Sequence, residues 1–321
     1  MANGRRCRLS TRIKVDSVTL IPYHMYDQSL LEQEARSARI LEGIYHKGQV
    51  KIWDGNKVLH ELLEKHGSIS IEEDKADALK NIFSIILWGE LVAWKVSLQL
   101  GAEIDDFSAK LAATSQAHDE ARHFYVMKDY LDLLGYTPEP LAPSISYVLD
   151  EVLQTDNLAK KLLGMQLMIE PIALTIFRFV RQIKVEPVLT DLLEYYEIDE
   201  ARHIALGIQY LPKIIKKMNK AQLAGLILWQ AKIINAEMVG LKEIEDDVIT
   251  LGLDPLEVFE YAEKKQMECL EILSREMGIG MSIWIPFRKV IQFKKRLTFY
   301  PDKDHGFFKR ITNSFFQLMK N

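Results

Sequence analysis

Apolar residues recur with a period near 3.6 along almost the whole chain, and no stretch alternates with the period of two that a half-buried strand needs. The pattern predicts helices over 26–46, 56–66, 73–100, 106–134, 145–154, 157–184, 187–217, 220–250 and 255–277, with a further one over 305–319. Their ends carry suitable punctuation. Gly101 and Gly135 follow periodic runs as glycines beyond a helix end do. Pro187 and Pro255 fall where a first helical turn begins, with Asp254 placed to cap the second of them. The stretch Pro138–Pro143 is the clearest loop and divides the chain into halves. Pro286 and Pro301 argue against a clean amphipathic helix of useful length in the C-terminal stretch. The reading is all-α, one domain over 1–321, with a core over 73–217 and outer segments 1–72 and 251–321.

Within that pattern the pentapeptide Asp-Glu-Ala-Arg-His occurs twice, as Asp119–His123 and Asp199–His203, eighty positions apart. Each copy holds a Glu three residues before a His, so both side chains leave one side of a helix. Thirty positions before each of these glutamates a lone Glu, Glu90 and then Glu170, interrupts an apolar helix. The order Glu, Glu-x-x-His, Glu, Glu-x-x-His is what a four-helix bundle uses to hold two metal ions in its core. Glu90, Glu120, His123, Glu170, Glu200 and His203 are therefore the candidate ligands. They lie along apolar stripes, where an unpaired buried ion costs several kcal/mol. Four carboxylates against two divalent ions make a neutral centre. Carboxylates with imidazoles suit iron or manganese better than soft-ligand metals. Zinc stays chemically open, although six ligands do not resemble a closed tetrahedral site.

The residues beside the ligands have a role in this scheme. A metal-bound His usually donates its other N–H to a carboxylate, which sets its tautomer. Asp119 and Asp199 are each expected to accept from the His of the opposite copy, with Arg122 and Arg202 tying the aspartates down. Phe124, Ala173, Leu174, Phe177 and Ile204 are expected to line an apolar substrate pocket facing the site. Glu197, on the face of Glu200, is a candidate seventh ligand or proton donor, or else a rim ion pair. Tyr125, Tyr195 and Tyr196 lie near enough to raise a tyrosyl radical, though aromatics at helical spacing are more often core. His118 points away from Glu120 and reads as a surface residue. Pro171 follows Glu170 inside a helix, removes a bond to the carbonyl of Leu167 and should kink the helix there.

Over roughly 80–210 these motifs resemble the ferritin-like di-iron carboxylate superfamily. Within it they are most similar to the oxygen-activating branch: multicomponent monooxygenase hydroxylases, acyl-carrier-protein desaturases and ribonucleotide reductase small-subunit-like oxidases. The resemblance implies a ferritin-like four-helix bundle with additional N- and C-terminal helices. It also implies a dinuclear iron centre (Fe/Fe, or Mn/Fe), O2 as co-substrate, an electron-donor protein, and oxidation of a hydrophobic small molecule or acyl substrate. Hydroxylation, desaturation and N-oxygenation are all compatible with it. The alternatives are a ferroxidase or iron store without organic substrate, and a metal-free helical scaffold that keeps the repeat as a relic.

Composition changes this picture little. The chain is 48% hydrophobic and 27% charged, with a formal net charge of −4. Cys7 and Cys269 form no C-x-x-C pattern, so neither a zinc site nor a disulfide framework is expected, which fits a cytoplasmic location. No uninterrupted apolar run of bilayer-spanning length is seen, and the basic N-terminus (Arg5, Arg6, Arg8, Arg12, Lys14) is not followed by the apolar segment of a secretory signal. Residues 282–321 carry nine Lys/Arg against two Asp, with interleaved aromatics. This segment either packs its aromatics on the bundle or docks an acidic carrier protein or an anionic membrane surface. No nucleic-acid partner is expected, and a homodimer is the default assembly.

Overall fold

The periodic runs fold as helices. A computed structural model describes residues 35–278, 280 and 284–299, with positions 306, 308, 309, 311, 312 and 314. In chain order the helices are α1 (Ala35–Val50), α2 (Gly55–His66), α3 (Glu73–Glu103), α4 (Phe107–Leu133), α5 (Pro143–Gln154) and α6 (Leu158–Gly164). A π-helical turn (Met165–Ile169) leads into α7 (Glu170–Ile183). Then come α8 (Pro187–Ile215), α9 (Lys220–Glu243), α10 (Glu245–Thr250), α11 (Pro255–Met277) and α12 (Ile285–Phe299). No strand occurs among the described residues. The N-terminal basic cluster, Cys7 and most of the expected 305–319 helix lie outside them.

Local chemistry accounts for the ends. Asp54, Asp106, Asn157 and Asp254 each accept a backbone N–H at the start of α2, α4, α6 and α11, and Asn219 with Gln222 closes a reciprocal cap on α9. Gly135 takes φ +70 beyond α4, where the Tyr136 N–H reaches back to the Leu131 carbonyl. Gly101 does not end its helix: α3 runs on to Glu103, and the Lys110 ammonium takes up the carbonyls of Gly101 and Ala102. The helix α12 also departs from expectation. Pro286 sits in its first turn, where a missing N–H breaks no bond. Its Lys295 is buried against Glu260 and Glu263 of α11.

The arrangement is a ferritin-like four-helix bundle with helices added on both sides in sequence. α3, α4, the α6–α7 pair and α8 form the core, α1 and α2 lie against α4 and α8, and α9–α12 cover the opposite side. The apolar interior falls into two clusters. Leu87, Val126, Phe177 and Tyr196 belong to one, and Ala93, Ala113, Leu167 and Leu206 to the other. Each pair brackets one of Glu90, Glu120, Glu170 and Glu200, so the charged residues make a polar layer between two apolar halves.

Both α3 and the stretch Leu158–Ile183 are long and apolar enough to cross a membrane, which the sequence expectation had not allowed. In this fold 50% and 67% of their most apolar windows are buried in the bundle, and each carries one glutamate of the polar layer.

The break expected at Pro171 takes the form of the π-turn. The Glu170 N–H bonds to the Met165 carbonyl, one residue further back than in an α-helix. Pro171 thereby lands in the first turn of a new helix. Gly207 of α8 makes room for the turn: a Cβ there would lie 2.6 Å from Gln166 Cβ and 3.2 Å from Leu167. Gly207→Ala is expected to lower stability by about 1–3 kcal/mol, the usual overpacking cost, read as a lower urea midpoint at unchanged slope. An unchanged midpoint would show that the turn yields freely.

Candidate metal centre

The four bundle helices bring all six candidate ligands together, and all six are buried. Their ligand atoms form two overlapping groups, each within 4.8 Å: Glu90, Glu120, His123, Glu200, and Glu120, Glu170, Glu200, His203. Glu120 and Glu200 belong to both. The repeat in sequence thus becomes an approximate two-fold relation in space, with one terminal Glu and one His on each side.

The imidazoles point inward through Nδ1. His123 Nδ1 lies 3.2 Å from Glu200, 3.4 Å from Glu90 and 3.4 Å from Glu120. His203 Nδ1 lies 2.7 Å from Glu200, 3.1 Å from Glu120 and 3.6 Å from Glu170. Through their outer nitrogens the two rings cross over between the copies. His123 Nε2 is 3.1 Å from Asp199, and His203 Nε2 is 3.5 Å from Asp119.

Behind the rings the two aspartates and two arginines close a buried square. Arg122 Nη2 donates to Asp119 at 2.6 Å and to Asp199 at 2.8 Å. Arg202 Nη2 donates to Asp119 at 3.0 Å and also to Asp199. Two positive and two negative charges balance there without help from the six candidate ligands. Although burial opposes it, the hydrogen bond and charge of His123 hold Asp199 well below the usual carboxylate range.

Electrostatics within the six is strained. Burial pushes Glu90 and Glu170 well above the carboxylate range, with neighbouring carboxylates adding to it. Burial opposes ionisation of Glu120 and Glu200 too, but the charge of His203 together with hydrogen bonds from both imidazoles holds both low. Both imidazoles are also penalised by burial, yet the carboxylates around them raise their pKa well above the ordinary value. The six groups therefore hold protons where cations would otherwise sit. Glu120 Oε2 and His123 Nδ1 are buried with no hydrogen-bond partner. Native proteins rarely tolerate such orphans, and a cation between them would satisfy both. The hard oxygen and imidazole donors fit a pair of iron or manganese ions.

Several residues that complete the site carried no motif in the sequence. The Gln116 amide donates to Glu120 at 3.0 Å and Glu170 at 2.8 Å, and Gln166 from the π-turn donates to Gln116 at 3.1 Å. Trp53, in the connection before α2, donates to Asp199 at 2.8 Å and lies 4.6 Å over the Arg122 guanidinium. The Tyr196 hydroxyl donates to the His123 carbonyl at 2.7 Å while its ring stacks on the imidazole at 4.2 Å. In the sequence Tyr196 stood out only as one of three tyrosines near the candidate ligands.

Other expectations shift. Glu197 turns to the rim and pairs with Arg181, whose neighbour Glu194 shares the guanidinium. It joins neither ligand group, because one helical turn from Glu200 already carries it past the layer. His118 is 61% exposed, as a surface residue would be.

A cavity of about 190 Å³ with almost wholly apolar walls meets the centre along Glu90, Glu170 and Glu200. Of the five residues expected to line a pocket, only Ala173 does so. Phe124 faces Trp94, Phe177 packs edge-on against Tyr196, Ile204 packs on the other apolar cluster, and Leu174 lies off the cavity wall. The wall here instead includes Ile169 of the π-turn with Ile172, Ala173, Ile176 and Val180 of α7, one position round from the Glu170 line. That face is set by α5 and α9–α11, which supply the facing wall.

No family model and no curated protein sequence matches the chain. Among solved structures, R2-like ligand-binding oxidases are similar in outline. One with an aerobically reconstituted Mn/Fe cofactor aligns at 14% identity over 81% of this chain and 91% of its own, TM-score 0.44. Another, after photoconversion, aligns at 13% identity over 87% and 92%, TM-score 0.43. A mutant with an Fe/Fe cofactor aligns at 14% identity, TM-score 0.41. A likeness this distant carries nothing about activity, and the functional reading rests on this chain's own residues.

Proposed function

We propose that the chain is an O2-dependent oxidase with a dinuclear iron or manganese–iron centre, acting on a largely apolar small molecule. The observation that supports it most is the junction of two buried ligand groups, sharing Glu120 and Glu200, with an apolar cavity that reaches Glu90, Glu170 and Glu200.

Glu90 with His123 would hold one ion, Glu170 with His203 the other, and Glu120 with Glu200 both. Bound there, such a pair supplies electrons to O2 and an oxidising power that no side chain here possesses. The protein's own part is positioning and exclusion. Asp199 keeps the His123 Nδ1 free to face inward by taking the outer N–H, while Asp119 lies opposite the outer nitrogen of His203. Gln116 steadies Glu120 and Glu170 from the side away from the cavity. The apolar walls keep bulk water from the reacting face and leave room for a hydrocarbon. Hydroxylation, desaturation and N-oxygenation all fit this reading. An electron-donor protein and a docking role for the basic segment 282–321 remain part of the proposal.

The test is anaerobic Fe(II) loading, exposure to O2, and measurement of O2 uptake and products with and without small apolar compounds. Uptake that rises with such a compound, together with an oxygenated or dehydrogenated product by mass spectrometry, supports the oxidase. Uptake tied only to Fe(II), ending in ferric mineral, would assign the centre to iron handling instead.

A further inference from the structure

The cavity wall holds two more carboxyls outside both ligand groups, Glu237 and Glu263. Glu237 sits on α9 between Ala236 and Met238, which are buried, and lines the cavity together with Gln266 of α11. Gln266 Nε2 is held by two acceptors: Glu237 Oε2 at 3.1 Å and the Met168 carbonyl of the π-turn at 3.2 Å. The other oxygen, Glu237 Oε1, is shut from solvent and has no hydrogen-bond partner. Among the described residues no cationic side chain is paired with Glu237. The nearby Glu263 is already engaged by Lys295 and Gln292.

Such a group is costly in an apolar wall. An unsatisfied buried polar atom costs about 1–3 kcal/mol. It is relieved either by a ligand or by loss of the residue. Rotation about the last side-chain torsion of a glutamate is broad, so either oxygen turns toward the cavity at little cost. Burial pushes this carboxyl up to about 8, so it carries its proton near neutral pH. It then offers one O–H donor and remaining acceptor capacity.

We propose that Glu237, positioned by Gln266, is a neutral polar anchor that binds the hydroxyl-bearing head of an otherwise hydrocarbon ligand, leaving its chain against Glu90, Glu170 and Glu200. The hydroxyl belongs to an alcohol or to a protonated carboxylic acid. The anchor requires only the cavity; that the ligand is also the substrate rests on the oxidase reading above. A head held at Glu237 directs oxidation to the chain, away from the hydroxyl. The size of the cavity suits a short ligand, since an engineered cavity of about 150 Å³ accepts benzene.

The test is calorimetric titration of the full-length, metal-loaded protein under argon with 1-hexanol and, separately, hexylamine. Wild type and Glu237→Gln should bind 1-hexanol alike, because the amide also donates and accepts. Glu237→Leu should bind it about five- to tenfold more weakly, the loss of one neutral hydrogen bond. Gln266→Leu, which frees the anchor without deleting it, should weaken it by a smaller factor. Equal 1-hexanol affinity in wild type and Glu237→Leu would overturn the anchor. So would hexylamine binding more tightly than 1-hexanol to wild type and losing that advantage in Glu237→Gln, which would mean an ionised carboxylate that selects cations. Thermal melts of each variant show whether it is folded. Because no O2 is present, a failed anchor leaves the oxidase reading intact, and a failed oxidase leaves the titration unchanged.

Discussion

Glu120→Ala should remove both metal ions, whereas Glu90→Ala should remove only one. Glu120 belongs to both ligand groups and Glu90 to a single group. Wild type, loaded anaerobically with Fe(II) and desalted, is expected to hold about two ions per chain, a structural expectation for this ligand order. Glu90→Ala keeps Glu170, His203, Glu120 and Glu200 and should retain about one ion, while Glu120→Ala should fall to near none. Metal uptake should also release protons. In the metal-free centre Glu90, Glu170 and both imidazoles are driven toward their protonated forms. Binding requires ionised carboxylates and neutral imidazoles, so protons leave as the ions enter. Affinity therefore strengthens as pH rises and fails as pH falls. Metal analysis of the two variants, with proton release followed in a weakly buffered titration, checks both parts. Equal metal loss in the two variants would sink the shared-ligand arrangement. Uptake without proton release would mean that these carboxyls and imidazoles are already deprotonated.

Asp199→Ala should destabilise the fold by about 3–5 kcal/mol, the cost of leaving a buried charge unpaired. The square of Asp119, Asp199, Arg122 and Arg202 is buried and neutral. Removing Asp199 leaves two guanidiniums with one carboxylate. It also strips the acceptor from Trp53 and from His123 Nε2. The imidazole then loses the partner that sets its tautomer, so metal affinity should fall about 10- to 100-fold in addition. Urea unfolding of the metal-free protein separates the first effect from the second. A double change, Asp199→Ala with Arg202→Ala, restores charge balance and should recover part of the stability but none of the affinity. Stability unchanged in the single variant would mean that water or side-chain rearrangement replaces the carboxylate without cost.

Much of the bundle was legible along the chain because helices declare themselves locally. The 3.6 period, the cap Asp254, and the prolines at first turns all act within a few residues. Departures arose where distant elements intervened. Gly101 stays helical because Lys110, nine positions away, satisfies the freed carbonyls. A helix forms over Ile285–Phe299 because Pro286 falls in its first turn and Lys295 finds Glu260 and Glu263 on α11. At the site, the hydrogen bond between His123 and Asp199 of the other copy followed from the repeat, whereas Asp119 only faces the outer nitrogen of His203. Trp53 and Glu237 did not. Glu237 bears the same mark as Glu90, a lone carboxylate among apolar positions, but has no second copy to distinguish it from an ordinary surface residue.

The sequence by itself determined the helical class, the order of the six charged residues and their placement on apolar stripes, since each depends on spacing along one helix. Tertiary structure decided which glutamates the two groups share, how the four ions behind them close into a neutral square, and which face of α7 meets the cavity. Those depend on the rotation and offset of one helix against another. Small packing choices set them, such as Gly207 admitting the π-turn, and such contacts join residues that no local pattern links.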